Sequence, residues 1–437
     1  MRSRRRPGKR LPAACVAFLA VAPLPSYAVR ISYQADMGVE RNDNVLMSSS
    51  DEMGATALRA GFGVLVTENT STVQANVGGR LDYWNYVEGP QTNALETSLA
   101  GRLNWQILPE TVSFTVEDSL EMRPIDRFEP NTSENLQRVN VLSLGPNVHF
   151  DWRALQGRFE MRWIDTSAEV TDEYESERLS AALHLLRELD STSSLTLSVR
   201  AQEVDFDHNL IARDYRRYDS YLRYQKELNR VGFGLDAGYS WIDYDDGSSA
   251  SHPLVRGEIH WQARERSFLS MSLTHQLSDT ADDAIAAIGE AVTVPDDLSG
   301  SSGAAMQSSI YEDNRADVSY SYRGERVSVS VGPYYQRIDY LDDSTMFDET
   351  RRGALAQFSY DLSETWNLAT FVDVARASFT EVDRRTTDTR VGVGVDKTHS
   401  RHWSSALQFT HYRRDDDGVF GNARQNILYL TVTYRNR

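Results

Sequence analysis

The chain has 437 residues, a formal net charge of −17 and a mean hydropathy of −0.49. This length is enough to bury a large core, and 10% aromatic residues is too many for an acidic disordered chain. A single cysteine excludes a disulfide framework and a multi-cysteine metal site. After the N-terminus no apolar run reaches the roughly 18 residues that a membrane helix needs, so helical spanning is excluded. A low mean hydropathy still permits membrane-spanning strands, because their lipid-facing and lumen-facing residues alternate and their hydropathies average out.

The first 28 residues have the organisation of a secretory signal peptide. Six basic residues precede an apolar segment from Leu11 to Leu24, and Ser26 and Ala28 are small residues at −3 and −1 of a cut after Ala28. Cys15 follows two alanines, so a lipoprotein signal is the alternative. We predict a signal peptide over residues 1–28, which leaves a mature chain over residues 29–437 with no cysteine and a formal charge of −23.

Apolar residues occupy every second position in many segments of the mature chain. The alternation is clearest in residues 73–83, 95–107, 195–199, 255–261, 327–331, 391–395 and 428–434. Counted with the residues that flank its clearest part, each run is about 10 to 14 residues, which is long for a soluble sheet and matches a tilted membrane-spanning strand. The connections between these runs alternate between short turns and connections of at least seven residues, up to 279–313. This rhythm predicts an all-β fold, a transmembrane up-and-down antiparallel β-barrel of the outer-membrane type over residues 29–437, with about 20 strands and 18 or 22 as alternatives.

Two segments admit two interpretations each. Residues 178–189 fit an amphipathic helix or a strand, and their place between a long connection and a short turn favours the strand. Residues 282–292 are rich in alanine and predict a short helix within the longest connection. That connection either folds into the lumen as a constriction or covers the mouth of the barrel.

The long connections are strongly acidic, whereas the short turns are nearly balanced in charge. Solvated polar loops explain this difference, and the alternative is that clusters such as Asp415-Asp416-Asp417 gather divalent cations. An acidic mouth should enrich cations and make an open barrel cation-selective at low salt.

The mature N-terminus reads Tyr33-Gln-Ala-Asp-Met-Gly-Val-Glu-Arg-Asn-Asp-Asn-Val45, a strand that leads into an Asn-Asp-Asn element. This opening, with the strand rhythm of the whole mature chain, resembles an outer-membrane β-barrel family of the β-barrel porin 2 type. The family occurs with exopolysaccharide and exosortase systems of Gram-negative bacteria. The resemblance implies a place in the cell outer membrane and a role in exopolysaccharide assembly or export, and it supplies no catalytic residues.

Eight charged residues have the parity of a lumen face: Arg80, Asp82, Glu96, Arg102, Arg200, Arg256, Glu258 and His260. In a barrel of this width they either pair along the wall or line a hydrated path, where Trp84 and Tyr334 would offer aromatic faces to sugar rings. No catalytic residue, metal site or cofactor is predicted. His399 and His402 have metal-like spacing, but no third ligand is evident nearby.

These observations predict a non-enzymatic outer-membrane protein that assists exopolysaccharide assembly or export as a channel or scaffold. The alternatives are a general diffusion porin for small solutes and an outer-membrane hydrolase. The expected partners are outer-membrane lipid, the barrel-assembly machinery, polysaccharide and export-system proteins, and no nucleic acid. The last strand, with Leu428, Leu430, Val432 and Tyr434 on one face, has the pattern that the assembly machinery reads, displaced by three residues from the C-terminus.

Overall fold

A computed structural model describes residues 29–130, 132–171, 174–207, 213–288, 309–341, 348–418 and 420–436. The predicted signal peptide lies outside the described residues. Within them the chain forms twenty strands and one α-helix, which confirms the predicted fold class and strand number. The elements are β1 Arg30–Asn42, β2 Ala55–Asn69, β3 Val73–Glu88, β4 Ala94–Leu108, β5 Val112–Pro124, β6 Leu136–Trp152, β7 Leu155–Ala168, β8 Ser176–Asp190, β9 Ser193–Phe206, β10 Tyr215–Glu227, β11 Val231–Tyr244, β12 Ser249–Arg264, β13 Ser267–Ser278, α1 Thr280–Ile288, β14 Tyr311–Arg323, β15 Val327–Tyr340, β16 Glu349–Asp361, β17 Trp366–Phe379, β18 Arg384–Thr398, β19 Trp403–Asp416 and β20 Ala423–Arg435.

Every strand pairs antiparallel with the next strand in the chain, and β1 pairs with β20 to close the barrel. The closing seam contains nine residue pairs, from Gln34 with Arg435 to Asn42 with Ile427. Residues 178–189 lie within β8, so the preferred strand interpretation is confirmed. The predicted helix of the longest connection is present as α1, which begins two residues earlier than expected.

The Asn-Asp-Asn element fastens the outer end of this seam. Asn44 is fully buried, and its Nδ2 donates to the Ser48 carbonyl at 2.8 Å and to the Arg424 carbonyl at 2.9 Å. The Asp43 carboxylate accepts from the backbone amide and the side-chain amide of Asn426 on β20. The motif therefore ties the first connection to the last strand.

The two rims of the barrel differ in their connections. The nine turns at one end, the short-turn rim, have two to four residues, and the ten connections at the other end form the long-loop rim. The prediction that every long-loop connection has at least seven residues is wrong for 89–93, 245–248, 380–383 and 417–422. At 245–248 the cause is visible, because β11 and β12 stay paired up to Asp243 and Ser249 and a tight turn with Gly247 at φ +87° then suffices.

The charge difference between the rims follows these strand bounds. The long-loop connections contain 26 acidic and 2 basic residues, and the short turns contain 4 acidic and 5 basic residues. The barrel therefore has one strongly acidic mouth.

The outer wall carries an apolar belt between two aromatic girdles. Near the short-turn rim the exposed tryptophans are Trp105, Trp152, Trp261, Trp366 and Trp403. Nearer the long-loop rim the exposed aromatic residues are Tyr83, Trp163, Tyr218, Tyr239, Trp241 and Tyr335.

The height of the belt follows from the strand register. Trp261 pairs with Val231, and Trp241 lies ten residues further along the same strand as Val231. At about 3.3 Å per residue and a tilt of about 40°, the two girdles are about 25 Å apart, which matches the apolar band of outer-membrane barrels. A closed barrel with this surface satisfies its backbone in lipid, so the protein is an outer-membrane β-barrel. Among the described residues no helix is both long and apolar enough to cross a bilayer.

Candidate functional site

The lumen is the candidate site, because inward positions collect most of the buried charge. Twenty tilted strands about 4.8 Å apart enclose a barrel about 40 Å across, which side chains of the wall alone do not fill. Described parts of the connections 125–135 and 279–310 fold into this space. The expectation of an inward constriction is therefore met for α1 and its flanking residues.

Arg80 and Asp82 on β3 belong to a buried ion network on the inner wall. Arg80 lies 2.9 Å from the Asp36 carboxylate on β1 and 2.7 Å from the Asp82 carboxylate, and Arg59 on β2 lies 2.7 Å from Asp82. Gly61 leaves room for this network, since a Cβ there would lie 2.5 Å from an Asp36 oxygen. Paired charges of this kind satisfy each other and hold the wall rigid.

An aromatic platform lies directly above this network and consists of Trp84, Tyr86 and Tyr429, with Arg59 beside it. The Trp84 ring stacks on Tyr86 at 6.5 Å between centroids and lies 6.4 Å from Tyr429. The Arg59 guanidinium lies 5.1 Å from the Trp84 ring and 5.7 Å from the Tyr429 ring. Glu96 on β4 accepts a hydrogen bond of 3.1 Å from the Trp84 indole nitrogen. The platform thus joins π faces to charged hydrogen-bonding groups.

The predicted residues nearer the short-turn rim are more exposed. Arg102 pairs with Glu117 at 3.3 Å and has about half of its side chain exposed. Glu258 pairs with Arg223 at 2.6 Å, and His260 is two-thirds exposed with its Nε2 3.9 Å from Glu258. These charges line a hydrated vestibule.

Arg256 belongs to the same vestibule and pairs with Asp236 on β11 at 3.1 Å. Its guanidinium also lies 4.8 Å from the Tyr221 ring on β10. The other predicted aromatic residue, Tyr334, is half-buried on the inner face of β15, opposite Asp317, and is separate from the Trp84 platform.

Arg200 anchors α1 to the wall together with two other arginines. Arg178 pairs with Asp279 at 2.7 Å, and both side chains are almost fully buried. Asp282 lies 3.1 Å from Arg200 and 3.2 Å from Arg217. Burial alone would raise the pKa of the Asp282 carboxyl, but the two arginines outweigh it and hold that pKa below its usual range.

Apolar contacts complete the docking of α1. Ala281 and Ala284 pack on Val141 of β6 and Ile164 of β7. Asp283 accepts hydrogen bonds from Ser278 and Tyr311, yet burial raises the pKa of its carboxyl to about 6.

The connection 125–135 crosses the mouth from β5 to the wall of β15–β19. The Phe128 carbonyl accepts hydrogen bonds from Arg384 at 3.0 Å and from Arg414 at 2.9 Å. The Phe128 ring packs edge-on against Phe379 at 4.8 Å, and Arg127 lies 3.6 Å from Glu349. The described residues therefore narrow the long-loop end while the short-turn end stays hydrated.

A serine–histidine–glutamate cluster was missed in the sequence. Ser198 Oγ lies 2.8 Å from His184 Nδ1, and His184 Nε2 lies 3.3 Å from Glu160. The order resembles a nucleophile, base and acid, but Ser198 is buried and the amides of β8 and β9 are engaged in the sheet, so they form no oxyanion hole. The signal for this contact was the short turn after Asp190, which sets residues 184 and 198 opposite each other.

Among the described residues no group of three His, Cys, Asp or Glu side chains has the geometry of a metal site. His399 Nε2 lies 2.8 Å from Ser405 Oγ, and His402 Nδ1 lies 2.9 Å from the Arg435 carbonyl oxygen. His399 thus stabilises the turn between β18 and β19, and His402 ties this turn to the end of β20.

No family model matches the chain, and no curated protein matches it. Several solved barrels are similar in shape. The FrpB iron transporter from Neisseria meningitidis (F5-1 variant) has 9% identity and a TM-score of 0.46, with 93% of this chain and 83% of that chain covered. The siderophore receptor PirA from Pseudomonas aeruginosa has 13% identity, a TM-score of 0.44 and coverage of 92% and 80%. OccK2 (OpdF) from Pseudomonas aeruginosa has 10% identity, a TM-score of 0.41 and coverage of 93% and 97%. Likenesses this distant say nothing about what the barrel carries.

Proposed function

We propose that the barrel is a gated outer-membrane channel for a sugar-based polymer of the exopolysaccharide class. The observation that carries the proposal is the aromatic platform on the inner wall. One face of a sugar ring is lined by C–H bonds and packs on Trp84 or Tyr429, while its hydroxyls bond to Glu96. Weak contacts of this kind guide a polymer without trapping it.

The inward connections supply the gate. Helix α1 is held by buried ion pairs and small apolar contacts, and both are local to residues 279–284. Undocking of this segment would widen the lumen without disturbing the barrel wall, because the strand pairing does not depend on it.

Planar-bilayer recordings with added oligosaccharides test the proposal. A sugar chain that enters the lumen should interrupt the current, and the double variant W84A/Y429A should shorten these interruptions about tenfold. The matched control is W241A on the lipid-facing wall, which should leave them unchanged. Equal interruption times in the platform variant and the control would contradict a sugar-binding role.

In cells, secretion of polysaccharide separates export from other roles. We expect W84A/Y429A to lower secreted polymer while uptake of small solutes stays at the level of the W241A control. Unchanged secretion in a strain that lacks the protein altogether would contradict the export proposal.

A general diffusion porin is the second candidate, and the hydrated vestibule of Arg102, Arg223 and Glu258 favours it. Such a porin would conduct small ions with no dependence on oligosaccharide length. Liposome swelling with sugars of increasing size separates the two candidates.

A hydrolase remains the third candidate, and the cluster of Ser198, His184 and Glu160 is its only specific support among the described residues. Purified protein and its S198A variant, assayed on acyl esters, decide this. Ester hydrolysis that disappears in S198A would replace the channel proposal by an enzymatic one.

A further inference from the structure

Seven neighbouring strands carry an arginine on their lipid-facing side near the long-loop rim. In order around the barrel they are Arg337, Arg352, Arg376, Arg385, Arg413, Arg424 and Arg41, on β15 to β20 and β1. We call this set the arginine face. The register places its members on the outer face of the sheet. Arg352 lies opposite Tyr335 and Arg41 lies opposite Leu428, and both Tyr335 and Leu428 are exposed residues of the outer wall.

The arginine face lies at the level of lipid head groups. Arg376 is ten residues above Trp366 on β17, and Arg413 is ten residues above Trp403 on β19. Trp366 and Trp403 belong to the girdle at the short-turn rim, so both arginines lie about 25 Å above it. Val372 and Val374, just below Arg376, face the lipid tails.

Two pairs of these arginines repel each other in the free protein. Arg352 lies directly opposite Arg376, and Arg413 lies directly opposite Arg424. Like charges opposite each other on one face of a sheet are destabilising unless something neutralises them. Arg413 and Arg424 have carboxylate partners, Asp415 at 2.8 Å and Glu52 at 3.6 Å.

Among the described residues, Arg352 and Arg376 lack such partners. In the part of the chain that the structure describes, no carboxylate lies within 4 Å of either guanidinium, and the Nε of Arg376 is buried without a hydrogen-bond acceptor. Two guanidinium groups that face each other without a carboxylate repel, so this position favours an anion from outside the protein.

The opposite side of the barrel has the reverse charge at the same level. Asp165 on β7 lies opposite Glu177 on β8, and Glu177 lies opposite Asp205 on β9. On β11, Asp243 is two residues above the girdle residue Trp241. The arginine face is thus one sector of the wall and not a uniform basic ring.

We propose that the arginine face binds the phosphate groups of the lipids in the leaflet at the long-loop rim, and that one phosphate bridges Arg352 and Arg376. Guanidinium groups form two parallel hydrogen bonds to a phosphate, and two of them facing each other surround it with donors. A lipid is favoured over free phosphate because the valines below the site place acyl chains directly beneath the head group.

The test uses purified full barrel in detergent with added lipopolysaccharide, and native mass spectrometry to measure bound lipid. The R352Q/R376Q variant should bind about thirtyfold more weakly than the unmodified protein. The matched control is R216Q on β10, an outward arginine at the same level outside the arginine face, which should bind as before. Gel mobility with and without heating confirms that each variant forms the closed barrel.

Three further arms decide the source of the phosphate. Lipopolysaccharide stripped of its phosphates should bind to the unmodified protein as weakly as intact lipopolysaccharide binds to R352Q/R376Q. Inorganic phosphate at the same concentration should neither bind detectably nor displace the lipid. R352K/R376K, which keeps the charge but loses the paired hydrogen bonds, should be intermediate. Equal binding by R352Q/R376Q and R216Q, or full binding of the phosphate-free lipid, would overturn the proposal.

Discussion

Asp279 holds α1 in the lumen, and its charge can be removed without removing its hydrogen bonds to the helix. The Asp279 Oδ1 accepts from the amides of Ala281 and Asp282 at 3.0 Å, which is the geometry of an N-cap. Asparagine is an equally good N-cap, so Asp279→Asn keeps these bonds, removes the charge that pairs with Arg178, and replaces the Oδ2 that accepts from the Tyr215 hydroxyl at 3.1 Å. Both partners of that pair are at least 96% buried, with side-chain exposures of 4% and 3%.

The expected effect follows from leaving a buried guanidinium unpaired. Breaking a buried ion pair by removing one partner costs about 3 to 5 kcal/mol, so the ratio of undocked to docked α1 should rise at least a hundredfold. A cysteine at position 284 reports this directly, because Ala284 is buried against β6 and β7 and the chain's only other cysteine is Cys15.

Two measurements follow the undocking. The rate of maleimide labelling at position 284 should rise at least a hundredfold with D279N, and long openings should appear in planar-bilayer recordings. The control is D246N, which changes a half-exposed carboxylate at the same rim and should leave both unchanged. If D279N behaves like D246N in both measurements, the ion pair is not what holds the helix, and the gate is misassigned.

Three further predictions concern pH, ions and the seam. Because burial raises the pKa of Asp283 to about 6, the docked helix binds a proton that the undocked helix releases, so docking should weaken about tenfold between pH 5 and pH 7.5. Asp282 stays ionised throughout, and D283N should leave in the labelling rate at position 284 only the pH dependence of the thiolate itself, which an exposed reference cysteine measures. The acidic long-loop rim should make the open D279N channel cation-selective at 0.01 M salt and less so at 1 M, where the Debye length is about 3 Å, and anion selectivity at low salt would show that lumen arginines control passage. Asn44→Ala leaves the Ser48 and Arg424 carbonyls without their buried donor, so it should lower barrel stability by about 1 to 3 kcal/mol in urea titrations, and an unchanged midpoint would contradict a closing role for the Asn-Asp-Asn element.

The wall of the barrel was predictable because period-two patterns and turns are local signals. Alternation in residues 428–434 fixes which side chains face lipid, and the short turn after Asp190 fixes the register of β8 and β9. The contents of the lumen were not predictable in the same way. Arg178 and Asp279 are 101 positions apart, and nothing in either neighbourhood specifies that a connection leaving β13 turns inward to reach β8. Parity shows that a charge faces the lumen, but its partner depends on the path of a loop.

The seam between β1 and β20 also sets the order of events in folding. Asn436 donates its backbone amide to the Tyr33 carbonyl and its side-chain amide to the Ile31 carbonyl, and its side-chain oxygen accepts from the Tyr33 amide. These bonds span about 400 residues of chain, one of the longest separations among the described contacts. Contacts between such distant segments form slowly, so the remaining nineteen strand pairs can be in place before this seam forms. Until that moment the sheet has two open edges with unpaired amides and carbonyls in or near lipid, the arrangement most prone to joining a second chain. The sheet is therefore most prone to pair with a second chain just before the barrel closes. Slower formation of the seam should favour strand-swapped dimers over unfolded monomers.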